Sequence, residues 1–205
     1  MSADSDPIID KIISAILPVD ISDGSDEVKR KGQRGASVLM PLVKRDEWQV
    51  ILTQRPQTMP THAGQIAFPG GKREAGESAR QAALRETEEE IGLKEGAIDI
   101  IGRLPSFNAV GEYRITPFIG IVDPGAPIIP DPREVDEVFE TPLSFLMNPK
   151  NHVPRDVFFG GKDHRCYDMP YDEPDGTHRN LWGMTAMTMY RLYQRVHLGI
   201  FETDY

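Results

Sequence analysis

Four carboxylates fall within five consecutive residues, at Glu86, Glu88, Glu89 and Glu90, and this crowding restricts what the chain can become. They sit near the end of the stretch GGKREAGESARQAALRETEEEIGL, residues 70–93. Pro69-Gly70-Gly71 is a turn signal. The run after this turn is rich in Ala, Leu, Glu and Arg, which favour helices, and Gly92 marks a stop. Like charges at i,i+3 and i,i+4 oppose that helix, so a compensating positive charge is expected beside it.

Projected at about 100° per residue, Glu86, Glu89 and Glu90 share one sector about 100° wide. Ala79 and Ala82 lie in the same sector, which leaves its N-terminal end open. Leu84, Thr87 and Ile91 form the neighbouring face and are expected to pack on a core. Glu88 and Gln81 point to water. Carboxylates converging from i, i+3 and i+4 are hard oxygen ligands suited to Mg²⁺ or Mn²⁺. A solvated acidic face is the alternative. Arg85 is placed to pair with one of these acids and fix its rotamer.

The spacing runs Gly71, five residues, Glu77, seven residues, Arg85-Glu86, Thr87, Glu88, Glu89-Glu90, Ile91, Gly92, Leu93. It resembles the Nudix box, G-x5-E-x7-R-E-U-x-E-E-x-G-U with U bulky and apolar. Thr87 is the one departure, a residue of similar size on the packing face. The resemblance implies an α/β/α sandwich with a mixed β-sheet and a box that forms a strand-loop-helix unit. It implies a metal-dependent hydrolase of diphosphates linked to a nucleoside, with Glu86, Glu89 and Glu90 as ligands and Glu77 in a supporting or metal-proximal role. The general base is either a helix glutamate, Glu89 or Glu90, or a carboxylate from a distant segment, Glu134 or Glu137. These last two also read as the solvated face of a strand.

A second resemblance precedes the box. Leu52-Thr53-Gln54-Arg55 and residues 62–71, HAGQIAFPGG, match the motif of the coenzyme A pyrophosphatase branch, L-L-T-x-R-S-x-x-L-R-x-H-x-G-Q-V-x-F-P-G-G. Thr53, Arg55, His62, Gly64, Gln65 and Phe68 fall in register and run into Gly70 and Gly71. Pro56 and Pro60 replace the usual Ser and Arg. Losing that arginine removes a bidentate phosphate donor. The implied reaction splits coenzyme A or acyl-CoA into 3′,5′-ADP and a phosphopantetheine. Arg55 is a candidate phosphate ligand or a surface ion pair. His62 binds phosphate or organises its loop, and Gln65 fixes loop backbone. Hydrolysis of ADP-ribose or a dinucleotide is the alternative within the family, and a catalytically weak ligand-sensing module is the alternative outside catalysis.

A length of 205 residues suits one domain. Residues 1–34 read as an N-terminal amphipathic helix and a linker, and residues 35–205 as the hydrolase domain. A net charge of -9 disfavours non-specific nucleic-acid binding. Lys29, Arg30, Lys31 and Arg34 form a small basic cluster, a solvated loop or a phosphate contact. Cys166 is the only cysteine, which fits a reducing compartment. No apolar run approaches a membrane span and the N-terminus lacks a signal peptide's basic start, so a cytoplasmic enzyme without a membrane partner is expected. The N-terminal helix packs on the domain or on a second subunit, which leaves a homodimer open. Strands are expected at 36–43, with Pro41 at an edge or bulge, and at 49–53, 97–104, 113–122 and 134–139. Thr141 should cap a short helix, residues 153–160 and 164–170 should form a hairpin, and residues 180–198 a C-terminal helix. Trp182 either stacks on a base or packs against the sheet.

Overall fold

The computed structural model describes residues 6–19, 32–58, 63–109, 112–159 and 161–201. Its sheet grows around β1 (Arg34–Lys44). Along one side, β7 (Tyr113–Val122) runs parallel to it from Arg34↔Tyr113 to Val43↔Val122. On the other side, β2 (Trp48–Gln54) returns through a tight hairpin and pairs only at Lys44↔Trp48, Val43↔Gln49 and Leu42↔Val50 before splaying away. The segment 66–72 fills the fork. Its first part, β3 (Ile66–Ala67), bonds the end of β2, and its second part, β4 (Gly70–Lys72), bonds the start of β1. Pro41 therefore lies inside a central strand rather than at an edge. It sits at the fork, between the residues that pair with β4 and those that pair with β2, where a missing N–H costs no ladder bond.

β8 (Glu137–Pro142) covers the far side of β2. β5 (Ile98–Arg103) and β6 (Phe107–Asn108) cover the far side of β7. The result among the described residues is an eight-stranded mixed sheet. Side chains alternate across it, as strand geometry requires. Leu39 and Phe118 meet Ala79 and Ala83 of α2 (Ala79–Ile91), and Val43, Ile51 and Val122 meet Ile91 and Leu93. The opposite face, with Met40, Leu42, Val50, Leu52 and Ile119, packs on Ile9 and Ile12 of α1 (Pro7–Ala15) and on Ala186, Met189 and Leu192 of α4 (Gly183–Tyr193). This is the expected α/β/α sandwich. No helix among the described residues is long and apolar enough to cross a membrane.

The N-terminal helix is built into this core. Asp6 caps it, accepting from the Ile8 N–H at 3.2 Å, and Arg195 Nε donates to the Ala15 carbonyl at 2.6 Å. Of the basic cluster, Lys29, Arg30 and Lys31 lie outside the described residues, and Arg34 begins β1.

Elsewhere tertiary pairing moves element boundaries. β8 starts at Glu137, so Glu134 sits in a turn, its N–H on the Asp131 carbonyl at 3.0 Å. Thr141 belongs to β8, and α3 (Leu143–Leu146) starts without a side-chain cap. The expected hairpin forms as β9 (Val153–Phe159) and β10 (Lys162–Asp172). The last helix does not start at residue 180, because residues 178–181 pair with β10 instead. They form a third strand, β11 (His178–Leu181), in which Arg179 and Leu181 turn inward and pair across to Tyr171 and Met169. Trp182 follows that strand 40% exposed, with the Arg155 guanidinium of β9 5.8 Å from its ring centre.

The helix α2 has strong ends. Ser78 Oγ accepts from the Gln81 N–H at 3.2 Å, and the Gln81 side chain accepts from the Ser78 N–H at 2.9 Å, a reciprocal capping box. Gly92 closes the helix at φ 70°, a left-handed conformation that glycine adopts without strain. Ser78→Ala should cost about 1 kcal/mol and lower the thermal midpoint by about 2–4 °C, as calorimetry would measure.

Candidate active site

Arg85 occupies the middle of the acidic surface of α2. Its Nε donates to Glu77 Oε1 at 2.8 Å, and its Nη2 donates to Glu77 Oε2 at 3.1 Å and to the Lys72 carbonyl at 3.0 Å. Nη1 reaches Glu89 Oε2 at 2.8 Å and Glu86 Oε1 at 3.0 Å. This guanidinium is the compensating charge that the glutamate run requires. It holds the Glu77 carboxyl below the usual carboxylate range. Glu77 precedes the helix, and both its oxygens are engaged, the second also by the Glu74 N–H at 2.8 Å.

Glu86 and Glu90 turn toward the sheet. Glu90 is 4% exposed, and its Oε2 accepts from the Gly70 N–H at 3.1 Å. Burial pushes its pKa up to about 7, against that hydrogen bond and the nearby Arg55 charge, with help from the Glu86 and Glu134 charges. Glu86 is also raised, first by burial, with Arg85 opposing and Glu89 and Glu134 adding. The two glycines make the approach feasible. A Cβ on Gly71 would stand 2.4 Å from the Glu86 carboxylate. A Cβ on Gly70 would stand 2.4 Å from the Ser37 carbonyl, and its φ of 151° is one that side chains rarely adopt.

The helical projection needs one correction. Ala79 and Ala82 are 4% and 0% exposed, so the sector is closed at its N-terminal end. Small residues let α2 lie close on β1, which buries Glu90 and leaves Glu89 at the rim with a side chain 54% exposed. Glu88 does point elsewhere, to Lys94 Nζ at 2.6 Å. Thr87 is buried, its hydroxyl donating to the Ala83 carbonyl at 2.7 Å.

Among the described residues, no three acidic, His or Cys side chains are gathered closely enough to hold an ion as they stand. The donor set nevertheless fits a hard divalent cation. Glu86 and Glu90 are carboxylates partly stripped of water, the Glu86 charge raises the Glu90 pKa, and a bound cation would relieve that repulsion. Glu89 could join them from the rim.

The remaining candidates divide. Glu134 acts electrostatically on both Glu86 and Glu90, and its turn is latched to the end of α2 by the Asp131 N–H on the Glu90 carbonyl at 2.9 Å. Glu137 is held by Arg179, with Nη1 on Oε2 at 2.8 Å and Nη2 on Oε1 at 2.6 Å, which lowers its pKa and makes it a poor base. Arg179 is a residue that sequence reasoning missed; its only signal is a cation in step with inward-facing Leu181. Arg55 places Nη1 3.8 Å from Glu90 Oε1. Gln65 accepts the Arg55 N–H on its carbonyl at 3.0 Å. Phe68 is 4% exposed within the core, so it supports the segment from beneath rather than lining a cleft. His62 lies outside the described residues.

Residues 33–159 match the NUDIX domain family. The chain belongs to the Nudix family. The Nudix hydrolase NudL of Escherichia coli K12 is 40% identical over 154 residues, 75% of this chain and 78% of that protein. NudL of Photorhabdus laumondii is 35% identical over 166 residues, 80% of this chain and 86% of that protein. The crystal structure of a MutT/nudix family protein from Enterococcus faecalis superposes with a TM-score of 0.55 at 18% identity, over 82% of this chain and 63% of that one, a likeness of fold. This Nudix hydrolase is therefore a pyrophosphohydrolase of phosphorus anhydrides. Nudix hydrolases use divalent metal ions and act on small nucleoside diphosphate substrates.

Two measurements test this geometry. Gly71→Ala should fold with a near-unchanged thermal midpoint, because the Glu86 carboxylate can swing aside, yet lose activity because that carboxylate has moved. Glu90→Gln should stabilise the metal-free protein at pH 8. A carboxylate whose folded pKa is raised contributes most below its unfolded value and loses that contribution as pH rises, here between the ordinary 4.5 and about 7. That gap corresponds to at most roughly 3 kcal/mol. Urea unfolding in EDTA should show the gain at pH 8 and its disappearance near pH 4.

Proposed function

We propose that this Nudix hydrolase cleaves the diphosphate of coenzyme A or acyl-CoA, releasing 3′,5′-ADP and (acyl-)4′-phosphopantetheine. The observation that carries the reading is the position of Arg55. It belongs to the segment that resembles the coenzyme A motif, and its guanidinium stands 3.8 Å from Glu90, too far for a hydrogen bond. Its Nε is buried without a hydrogen-bond partner. An arginine poised beside the carboxylates with donors to spare suits a phosphate.

In this reading Glu86 and Glu90, joined by Glu89, would hold Mg²⁺ or Mn²⁺, which would supply neutralisation of phosphate charge and acidification of a water. Arg85 keeps Glu86 and Glu89 oriented and Glu77 out of the way. Glu90 Oε1, the oxygen not bonded to Gly70, accepts the proton of the attacking water. Glu134 is the second carboxylate in range, and Glu137 takes no part. The lone Cys166 supports a reducing, cytoplasmic location.

A second reading keeps the chemistry and changes the substrate. Pro60 stands where the coenzyme A motif has an arginine, and losing a phosphate donor favours a smaller partner such as ADP-ribose. Assay of coenzyme A, acetyl-CoA, ADP-ribose and dinucleotides with Mg²⁺ and Mn²⁺ separates the readings. Coenzyme A turnover with 3′,5′-ADP as product is expected; rapid ADP-ribose turnover with coenzyme A untouched would sink the first reading, and no turnover of any diphosphate would sink both. Glu89→Gln should reduce kcat by about 10–100-fold, as loss of a carboxylate that supports the metal does, while Glu88→Gln should not. Equal losses would show that the face assignment is wrong.

A further inference from the structure

The matched Nudix stretch ends at residue 159, yet two residues beyond it grip the segment that carries Arg55. Gln54 and Ile66 face each other as Cα partners at the end of the β2–β3 ladder. Just inside this pair two stems face each other, with the Arg55 N–H on the Gln65 carbonyl at 3.0 Å and the Gly64 N–H on the Arg55 carbonyl at 3.1 Å. Arg179 of β11 holds the first stem: its Nη1 donates to Gln54 Oε1 at 2.6 Å. The rest of its fork is filled by Glu137 and by Glu173 Oε1 at 2.5 Å, and its guanidinium lies 4.1 Å from the centre of the Phe139 ring. Thr185, in the first turn of α4, holds the second stem: its hydroxyl donates to the Ile66 carbonyl at 2.9 Å. Arg179 and Thr185 are each 5% exposed, so both contacts are shielded from competing water. Gly183 adds a close approach, since a Cβ there would meet Gln65 Nε2 at 3.4 Å.

We infer that Arg179 and Thr185 are positioning residues. The β11–α4 unit clamps both stems, one through a side-chain amide and one through a backbone carbonyl, and so fixes Arg55 beside Glu90. The clamp sets affinity for the substrate phosphate and leaves the chemistry on α2 untouched. This rests on Arg55 as a phosphate ligand, proposed above. It also accounts for Glu137: its carboxylate neutralises the clamp's arginine instead of taking part in catalysis.

Arg179 is too deeply paired for a clean test, because its removal leaves Glu137 and Glu173 without their partner. Thr185→Val removes one hydroxyl at constant shape, and Gln54→Met releases the first stem without breaking the ion pairs. Each should raise KM about fivefold, the size of one net hydrogen bond, with kcat within about twofold. Amide hydrogen exchange should quicken at Arg55 and Gly64 and stay unchanged along α2, and Thr185→Ser should restore both KM and exchange. Unchanged exchange at Arg55 and Gly64 in folded Thr185→Val would overturn the clamp. So would loosened amides with unchanged KM, or a fall in kcat with KM unchanged. The kinetics use whichever diphosphate is turned over, and the exchange measurement needs no substrate, so failure of the coenzyme A reading is distinguishable from failure of the clamp.

Discussion

The planar fork of Arg85 is what lets α2 exist with its acidic side against the sheet. Four glutamates in five residues would repel one another along the helix. Arg85 meets Glu77 with two nitrogens, takes Glu86 and Glu89 with a third, and ties itself to the Lys72 carbonyl. A lysine offers a point charge and no such spread of fixed donors. With Arg85 in place, the capped helix lies on β1 through Ala79 and Ala83, and Glu86 and Glu90 are carried inward with it. On that side Arg55 stands 3.8 Å from Glu90, and a bound divalent cation would add the remaining counter-charge.

The second constraint is the fork in the sheet. Because β1 and β2 part at Pro41, the segment 66–72 can enter between them and present backbone to α2. Gly70 gives Glu90 a fixed backbone donor, and Gly71 leaves the space that Glu86 fills. The same wedge begins at Ile66, which α4 holds, and the strand beside it ends at Gln54, which β11 holds. The site is thus assembled where regular pairing gives out, and elements far along the chain keep it in shape.

Much of this is legible in the residues. The helix, the roles of Gly92, Thr87 and Glu88 and the central strands come from spacing and alternation, which are local, and the sandwich from the resemblance to the Nudix box. The features that sequence reasoning misses depend on distant partners. Residues 180 and 181 read as the start of the last helix and instead end a strand because β10 offers an edge. Pro41 reads as an edge residue because a fork has no signature in one strand. Glu134 and Glu137 read as equivalent, three residues apart on an alternating run, until Arg179 claims one of them. Phe68 stands in a motif, but its ring belongs to the core.

The order of residues sets the reaction class through the resemblance of residues 71–93 to the Nudix box, while the spacing of the glutamates on one helix by itself marks a candidate cation site. Which carboxylates are buried, which one is spent on an ion pair, and how Arg55 comes to face Glu90 are settled only when the elements pack. The reason is physical: spacing along a helix sets direction, whereas burial and charge pairing depend on what the rest of the chain brings alongside.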